Sequence, residues 1–307
     1  MRTVFTTARL VLAVVLTGAV VSGCAAATAT PGAATRRLDV VTSFYPLQFA
    51  VSRIGGSAVR VSNLTKPGAE PHDLELSPRD VASIQDADLV VYLGGFQPAV
   101  DQAVRLGSPH ALDVAAAAHL DLTGTGEGAA ASGPRPDPHF WLDPTRLSAV
   151  AAVIAGRLTA VDPAHRDLFA KNLGVLDADL AALDREFTTG LASCSNTLLV
   201  TSHSAFGYLA RRYGLTQHGI TGLTPEDEPR ARELAAVATL VRTRHVRTVY
   251  YETLVSPAVA RTLARETGTR TAVLDPIEGL DAKSAGPDYL SVMRADLATL
   301  REGQPCR

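Results

Sequence analysis

Three of the chain's eight histidines sit in polar, proline-marked surroundings that suit coordination of a transition-metal ion. His72 closes the stretch Lys66-Pro67-Gly68-Ala69-Glu70-Pro71 and is followed by Asp73. His139 lies within Asp137-Pro138-His139-Phe140-Trp141-Leu142-Asp143-Pro144, and His203 within Ser202-His203-Ser204-Ala205-Phe206. Asp275, just ahead of Pro276, could add a carboxylate. Neutral imidazoles with one carboxylate make the tetrahedral shell that zinc adopts. Each ligating nitrogen must be free of its proton, so such a site weakens as pH falls. The opposite ring nitrogens need acceptors, and Asp73, Glu75 and Asp143 are candidates for that role.

These positions lie 67, 64 and 72 residues apart, so they form no compact zinc motif. A histidine taken singly is more often a surface residue or a satisfied core residue. On pattern alone His110, His119, His165, His218 and His245 stay equally open.

The elements that must position these residues read as an α/β alternation. Residues 38–44 (LDVVTSF) are rich in β-branched side chains and predict a strand. Residues 46–54 predict a helix closed by Gly55-Gly56, and residues 59–64 a second strand. Ser77-Pro78-Arg79-Asp80 combines an N-cap, a first-turn proline and an acid at the third helical position. Its helix runs to about residue 86, with a strand over 88–93 and a helix over 96–105 beyond. Residues 124–138, rich in Gly, Ala and Pro, read as an exposed loop, and 145–159 as a helix. After Cys194 the alternation resumes. Strands are predicted over 197–201, 215–219, 246–251 and 271–274, and helices over 205–213, 229–242, 258–267 and 289–301. Strands separated by helices imply mostly parallel sheets covered on both faces. His72, His203 and Asp275 then fall at or after carboxyl ends of strands, where open α/β sheets bind ligands.

Between the two halves, Phe169, Leu173, Leu176, Leu180, Leu183, Phe187 and Leu191 recur at intervals of three and four. A helix of this extent is about 40 Å long, enough to cross between lobes. A surface helix within one lobe is the alternative, with Gly174 as its kink. The expected fold is therefore two similar α/β lobes with mostly parallel sheets, joined by one long backbone helix, with a cleft between them. Its divisions are an N-terminal lobe over 38–161, the linking helix over 162–192 and a C-terminal lobe over 193–307.

The N-terminus carries its own chemistry. Arg2 and Arg9 precede an apolar run over 10–21 that is too short to span a bilayer. Val21-Ser22-Gly23-Cys24 looks like a bacterial lipobox, which makes residues 1–23 a lipoprotein signal peptide and Cys24 the acylated residue. An ordinary signal peptide is the plainer alternative. Residues 24–37 read as a flexible tether. Cys194 and Cys306 remain, and in an exported chain a disulfide between them competes with two free thiols. Hydrophobic residues make up 46% of the chain and charged ones 20%, which places it among globular proteins. A net charge of −2 gives no support for nucleic-acid binding, where a basic stripe is expected.

Four segments together resemble the zinc/manganese substrate-binding proteins of ABC transporters, the cluster A-I metal-binding family. The first is residues 63–78 around Lys66-Pro67-Gly68-Ala69-Glu70-Pro71-His72-Asp73, and the second is Asp137 to Pro144. The third is residues 201–210 around His203, and the fourth is Leu274-Asp275-Pro276. The resemblance covers essentially the whole chain after the tether. It implies that His72, His139, His203 and Asp275 ligate one metal ion in the interlobe cleft. It further implies a monomeric, lipid-anchored subunit at the outer face of the cytoplasmic membrane, or in a periplasm, that delivers its ion to a membrane permease. Histidine at the third position is associated with zinc in this family and glutamate with manganese, so zinc is expected, with manganese or iron as alternatives. Many zinc-binding members carry a His-rich loop between the first two ligands. Here residues 124–138 hold Glu127 and Asp137 but no histidine, which leaves room for a metallochaperone.

An enzyme is not expected. A zinc hydrolase would use the three histidines with an open water position and Glu252 as base, but the chain has no HExxH signature. Glu252 reads more simply as a strand-end or capping residue. An adhesin is the other rival. Residues 218–229, punctuated by Gly and Pro, are expected to order on metal binding.

Overall fold

The computed structural model describes Met1 and residues 36–108, 110–124, 135–225 and 229–307. The export signal, Cys24, nearly all of the tether and most of the Gly/Ala/Pro loop lie outside the described residues, as do residues 226–228. Among the described residues no helix is long and apolar enough to cross a membrane.

Residues 36–307 form one compact unit built on two four-stranded parallel sheets of the same topology. The first contains β1 (Leu38–Thr42), β2 (Val59–Asn63), β3 (Leu89–Tyr92) and β4 (Ala111–Asp113) in the order β2-β1-β3-β4. The second contains β5 (Leu198–Thr201), β6 (Thr216–Gly219), β7 (Thr248–Tyr251) and β8 (Arg270–Val273) in the order β6-β5-β7-β8. The central strands β3 and β5 are nearly all Leu and Val and bury almost every residue, as strands covered on both faces must. In each sheet the strand order reverses beside the first strand, so a crevice opens at the carboxyl ends of β1 and of β5.

Four helices accompany the first sheet: α1 (Tyr45–Gly55), α2 (Pro78–Asp86), α3 (Pro98–Gly107) and the short α4 (Ala115–Ala118). The box expected at Ser77 is present: Asp80 N–H donates to the Ser77 hydroxyl, and Ser77 N–H donates to the Asp80 carboxylate at 3.0 Å. β4 and α4 were not expected. Their three and four residues are too short to show a period, and tertiary pairing with β3 decides them.

α5 (Pro144–Val161) is capped by Asp143, which accepts from Thr145 N–H at 3.0 Å. A 3₁₀ turn then leads into α6 (Arg166–Leu191), 26 residues long and continuous through Gly174. Its first half packs on the N-terminal part of the chain. Asn172 donates to Ile54 O at 2.9 Å, and Arg53 pairs with Asp179 at 2.5 Å. Its second half belongs to the other sheet's neighbourhood. Asp184 accepts both arms of Arg212 at 2.9 Å, Phe187 stacks on Tyr213 at 5.0 Å, and Glu186 pairs with Arg294. The helix spans both halves.

The second half adds α7 (Gly207–Arg212), α8 (Ala231–Thr243), α9 (Ala258–Thr267) and α10 (Tyr289–Gly303). The largest hydrophobic cluster joins the two sheets through α6, and two smaller ones lie on the other faces of the sheets. It holds Val40 and Leu89 of the first sheet, Phe169 to Leu191 of α6, Leu199 and Tyr250 of the second sheet, and Leu297 and Leu300 of α10.

Cys194 and Cys306 form a disulfide that ties the approach to β5 to the residues after α10, across 112 positions. Ser195 N–H donates to Pro305 O at 3.2 Å beside it. Closing a loop of about 100 residues removes unfolded-chain entropy worth up to about 4.7 kcal/mol. Reduced protein, or the Cys194→Ser variant, is expected to melt several degrees lower. An unchanged calorimetric midpoint would show that the bond adds no stability.

Candidate metal centre

His72 and His203 are delivered by loops at strand ends, and His139 by the segment that enters a 3₁₀ turn. His72 follows β2, on a loop pinned by the buried Gln97, whose Nε2 donates to Pro71 O at 3.1 Å and to Thr65 Oγ1 at 3.2 Å. Thr65 in turn donates to Ser43 O at 2.7 Å, beyond the end of β1. The Glu70 carboxylate accepts His72 N–H at 3.0 Å, and the ring meets Phe96 edge-on at 4.8 Å. His139 leaves a paired segment in which Asp137 N–H donates to Leu122 O at 2.8 Å, and a 3₁₀ turn follows directly. His203 stands two residues past β5, its carbonyl accepting from Thr201 Oγ1 at 2.6 Å and from Gln217 Nε2 at 3.0 Å.

The three histidines converge, and the carboxylate at their centre is Glu278. Its Oε1 lies 3.1 Å from His72 Nε2, 2.8 Å from His139 Nε2 and 3.4 Å from His203 Nε2. Among the described residues these four are the one group of three or more His, Cys, Asp or Glu able to hold a metal, with ligand atoms within 4.8 Å of one another. His139 and His203 face each other Nε2 to Nε2 at 3.4 Å. Nitrogens on a tetrahedral zinc at about 2.0–2.1 Å lie roughly 3.3–3.4 Å apart, so that pair already stands at coordination spacing.

Asp275, expected from its motif as the fourth ligand, lies outside this group. Its Oδ1 accepts the Ile277 N–H at 2.8 Å and its Oδ2 accepts from Thr253 Oγ1 at 3.3 Å. Its own N–H donates to Asp296 at 3.0 Å. Asp275 thus ties the turn after β8, and burial pushes its carboxyl up to about 6. The turn then reverses at Ile277, a β-branched residue at φ +57°, and projects Glu278 into the cluster. Trp141 braces it by donating Nε1–H to Pro276 O at 2.7 Å.

The outer partners also differ from those expected. Asp137 accepts from His139 Nδ1 at 2.7 Å, and Glu252 accepts from His203 Nδ1 at 2.6 Å. Asp143 serves instead as the cap of α5. Glu252, read above as a strand-end residue, is buried against His203. A buried acid two residues before His139, or just past β7, was the available signal for these partners. Glu278, in Ile277-Glu278-Gly279, had none in periodicity.

Burial works against charge on all of these groups, and their neighbours decide the outcome. Desolvation lowers His72, despite Glu278. For His139 and His203 the adjoining carboxylates outweigh burial: Asp137 with Glu278 lifts the first, and Glu252 with Glu278 lifts the second well above the usual imidazole value. Burial would raise Glu278, but the three imidazoles hold it well below the usual carboxylate range. Glu278 and the imidazoles of His139 and His203 thus favour one another's charged forms. A divalent cation could replace the imidazole protons.

Gly207 sets the packing behind His139. A Cβ there would come within 2.8 Å of Asp137 Oδ2 and 3.3 Å of Leu122. Asp137 is held by His139 and can yield only by rotating away from it. Gly207→Ala is therefore expected to weaken metal binding by up to about tenfold, the low end for losing an outer partner. Titration against a chromophoric chelator checks this, and unchanged affinity would show that Asp137 can move freely.

Comparisons with known proteins agree with this picture. The profile of the family described as "Zinc-uptake complex component A periplasmic" (ZnuA) matches residues 40–303. "Zinc-binding protein AdcA" of Streptococcus pyogenes is 36% identical over 286 residues, covering 86% of this chain. The chain spans little more than half, 56%, of the length of that relative. "High-affinity zinc uptake system protein ZnuA" of Bacillus subtilis is 34% identical over 280 residues, covering 87% of both chains. Among solved structures, the Zn(II)-bound ZnuA-like domain of Streptococcus pneumoniae AdcA superposes with a TM-score of 0.74 at 33% identity, covering 88% of this chain and 99% of that one. The laminin-binding protein Lmb of Streptococcus agalactiae, described as having adhesin and metal-transporting activity, gives 0.77 at 31% identity, covering 88% and 100%. The chain belongs to the ZnuA family of zinc-uptake complex components.

Proposed function

We propose that this chain captures a zinc ion outside the cytoplasm through His72, His139, His203 and Glu278, and hands it to an ABC-type permease in the membrane. The observation that carries the reading is the convergence of three imidazole nitrogens and one buried carboxylate within 4.8 Å. Names and structures of relatives that bind zinc support the choice of ion. Three nitrogen donors favour zinc over manganese, which prefers oxygen-rich shells. Loading replaces imidazole protons with the ion, and Glu278 supplies the negative charge that stays with it. A four-donor set is the closed kind that holds an ion without an open water position. Glu252, engaged by His203, is not placed as a general base, which favours carriage over hydrolysis.

Anchoring through Cys24, at the outer face of the cytoplasmic membrane or in a periplasm, completes the reading. A relative described as a zinc-binding lipoprotein supports it. The deciding experiment is competitive titration of the purified chain with zinc, manganese and iron. One equivalent of zinc, bound more tightly than manganese or iron, is expected; a preference for manganese would overturn the choice of ion.

A further inference from the structure

Beyond the four donors, one buried acid stands where stability alone gives it little purpose. Glu252 is the first residue after β7 and only 3% exposed. Its Oε1 takes both the His203 Nδ1 at 2.6 Å and the Ser202 hydroxyl, while its buried Oε2 has no hydrogen-bond partner among the described residues. A carboxylate held this deep with one oxygen unsatisfied is costly, and an apolar or amide side chain of similar size would serve packing as well or better. Among the described residues its ion-pair partner is His203.

We propose that Glu252 is a positioning residue for zinc, fixing the ring of His203 and strengthening it as a donor. This rests on the reading of the cluster as a zinc site. With Nδ1–H donating to Glu252, Nε2 of His203 is the nitrogen turned toward Glu278 and His139, and once its proton is displaced its lone pair faces the ion's position. The nearby carboxylate then makes that nitrogen more basic toward a cation. Ser202 holds the carboxylate from its own side, so Glu252 does not swing. Asp137 does the same for His139 from the first half of the chain. The two facing imidazoles are thus each aimed by a separate buried acid, one from each half. Glu278 contacts the ion's position directly, whereas Glu252 acts only through His203.

Two substitutions separate orientation from charge. Glu252→Ala removes both. Glu252→Gln keeps an oxygen to accept from Nδ1 but removes the charge. Zinc dissociation constants by chelator competition should rise by about 10–100-fold for Glu252→Ala, the usual cost of losing an outer partner, and by less for Glu252→Gln. The visible absorption of the cobalt(II)-loaded protein reports donor strength at the metal, which a merely structural role would not move. It should shift in both variants. Wild-type affinity with an unshifted cobalt spectrum in Glu252→Gln would overturn the inference, and this holds even where Glu252→Ala fails to fold. Failure of the wild-type chain to take up zinc would instead overturn the underlying site reading, and this inference with it.

Discussion

Glu278→Ala is expected to abolish tight zinc binding, whereas Asp275→Asn should leave it nearly intact. Glu278 Oε1 is the point on which all three histidines converge, while both Asp275 oxygens are occupied by the turn itself. Loss of a direct donor should exceed the roughly 10–100-fold cost of losing an outer partner. Glu278→Ala also removes the counter-charge beneath three buried imidazoles, and breaking a buried charge pair costs about 3–5 kcal/mol. The metal-free variant should therefore melt earlier as well. Asparagine at 275 still accepts from Ile277 N–H and can donate its amide N–H to Thr253 Oγ1 in place of accepting from it, and it loses a charge that burial already disfavours. Chelator competition on the two variants decides between the acids, and the reverse ranking would restore Asp275 as the ligand.

The second large effect is that metal-free stability and zinc affinity should run in opposite directions with pH. His203, raised well above its ordinary value, contributes stability that is complete below about 6.5 and is lost as pH climbs through the raised value. His139 acts in the same sense. His72, lowered by burial, opposes them weakly by resisting protonation as pH falls below 6.5. Glu278, held well below its ordinary value, contributes stability present above about 4.3 and lost as pH falls through the depressed value. Metal-free protein should thus be most stable in mild acid and lose stability from neutral pH upward. Zinc affinity should rise over the same range, because loading must displace the protons that steady the empty cluster. Calorimetry in excess chelator and in excess zinc measures both trends, and parallel slopes would refute the proton–zinc exchange.

Much of this was legible in the sequence because it rests on local rules. The Ser77 box and the three-and-four spacing of Phe169 to Leu191 each encode an element by near neighbours. The three histidines stood out by their setting, and resemblance grouped them. Glu278 did not, because its direction is set by the reversal at Ile277 and by Trp141 donating to Pro276 from 135 positions away. Asp275, the acid that the motif displays, is spent on building that reversal. Glu252 escaped for a related reason: it meets His203 across 49 positions, through neighbouring strands, a contact that no periodicity records. Asp137, two residues before His139, was within local reach and was passed over. β4 and α4 were too short to leave a signal.

The hydrophobic cluster that passes through both sheets and α6 bears on how an ion could leave. A wide hinge motion would pull packed side chains apart and wet them, at about 25 cal/mol for each Å² exposed. Parting even a few hundred Å² would cost several kcal/mol. Swinging the halves apart is thus a slow, uphill route. Local yielding of the loops that carry His72 or His203 exposes far less, and it makes the escape rate a property of those loops, which a docking partner could tug without prising the body open.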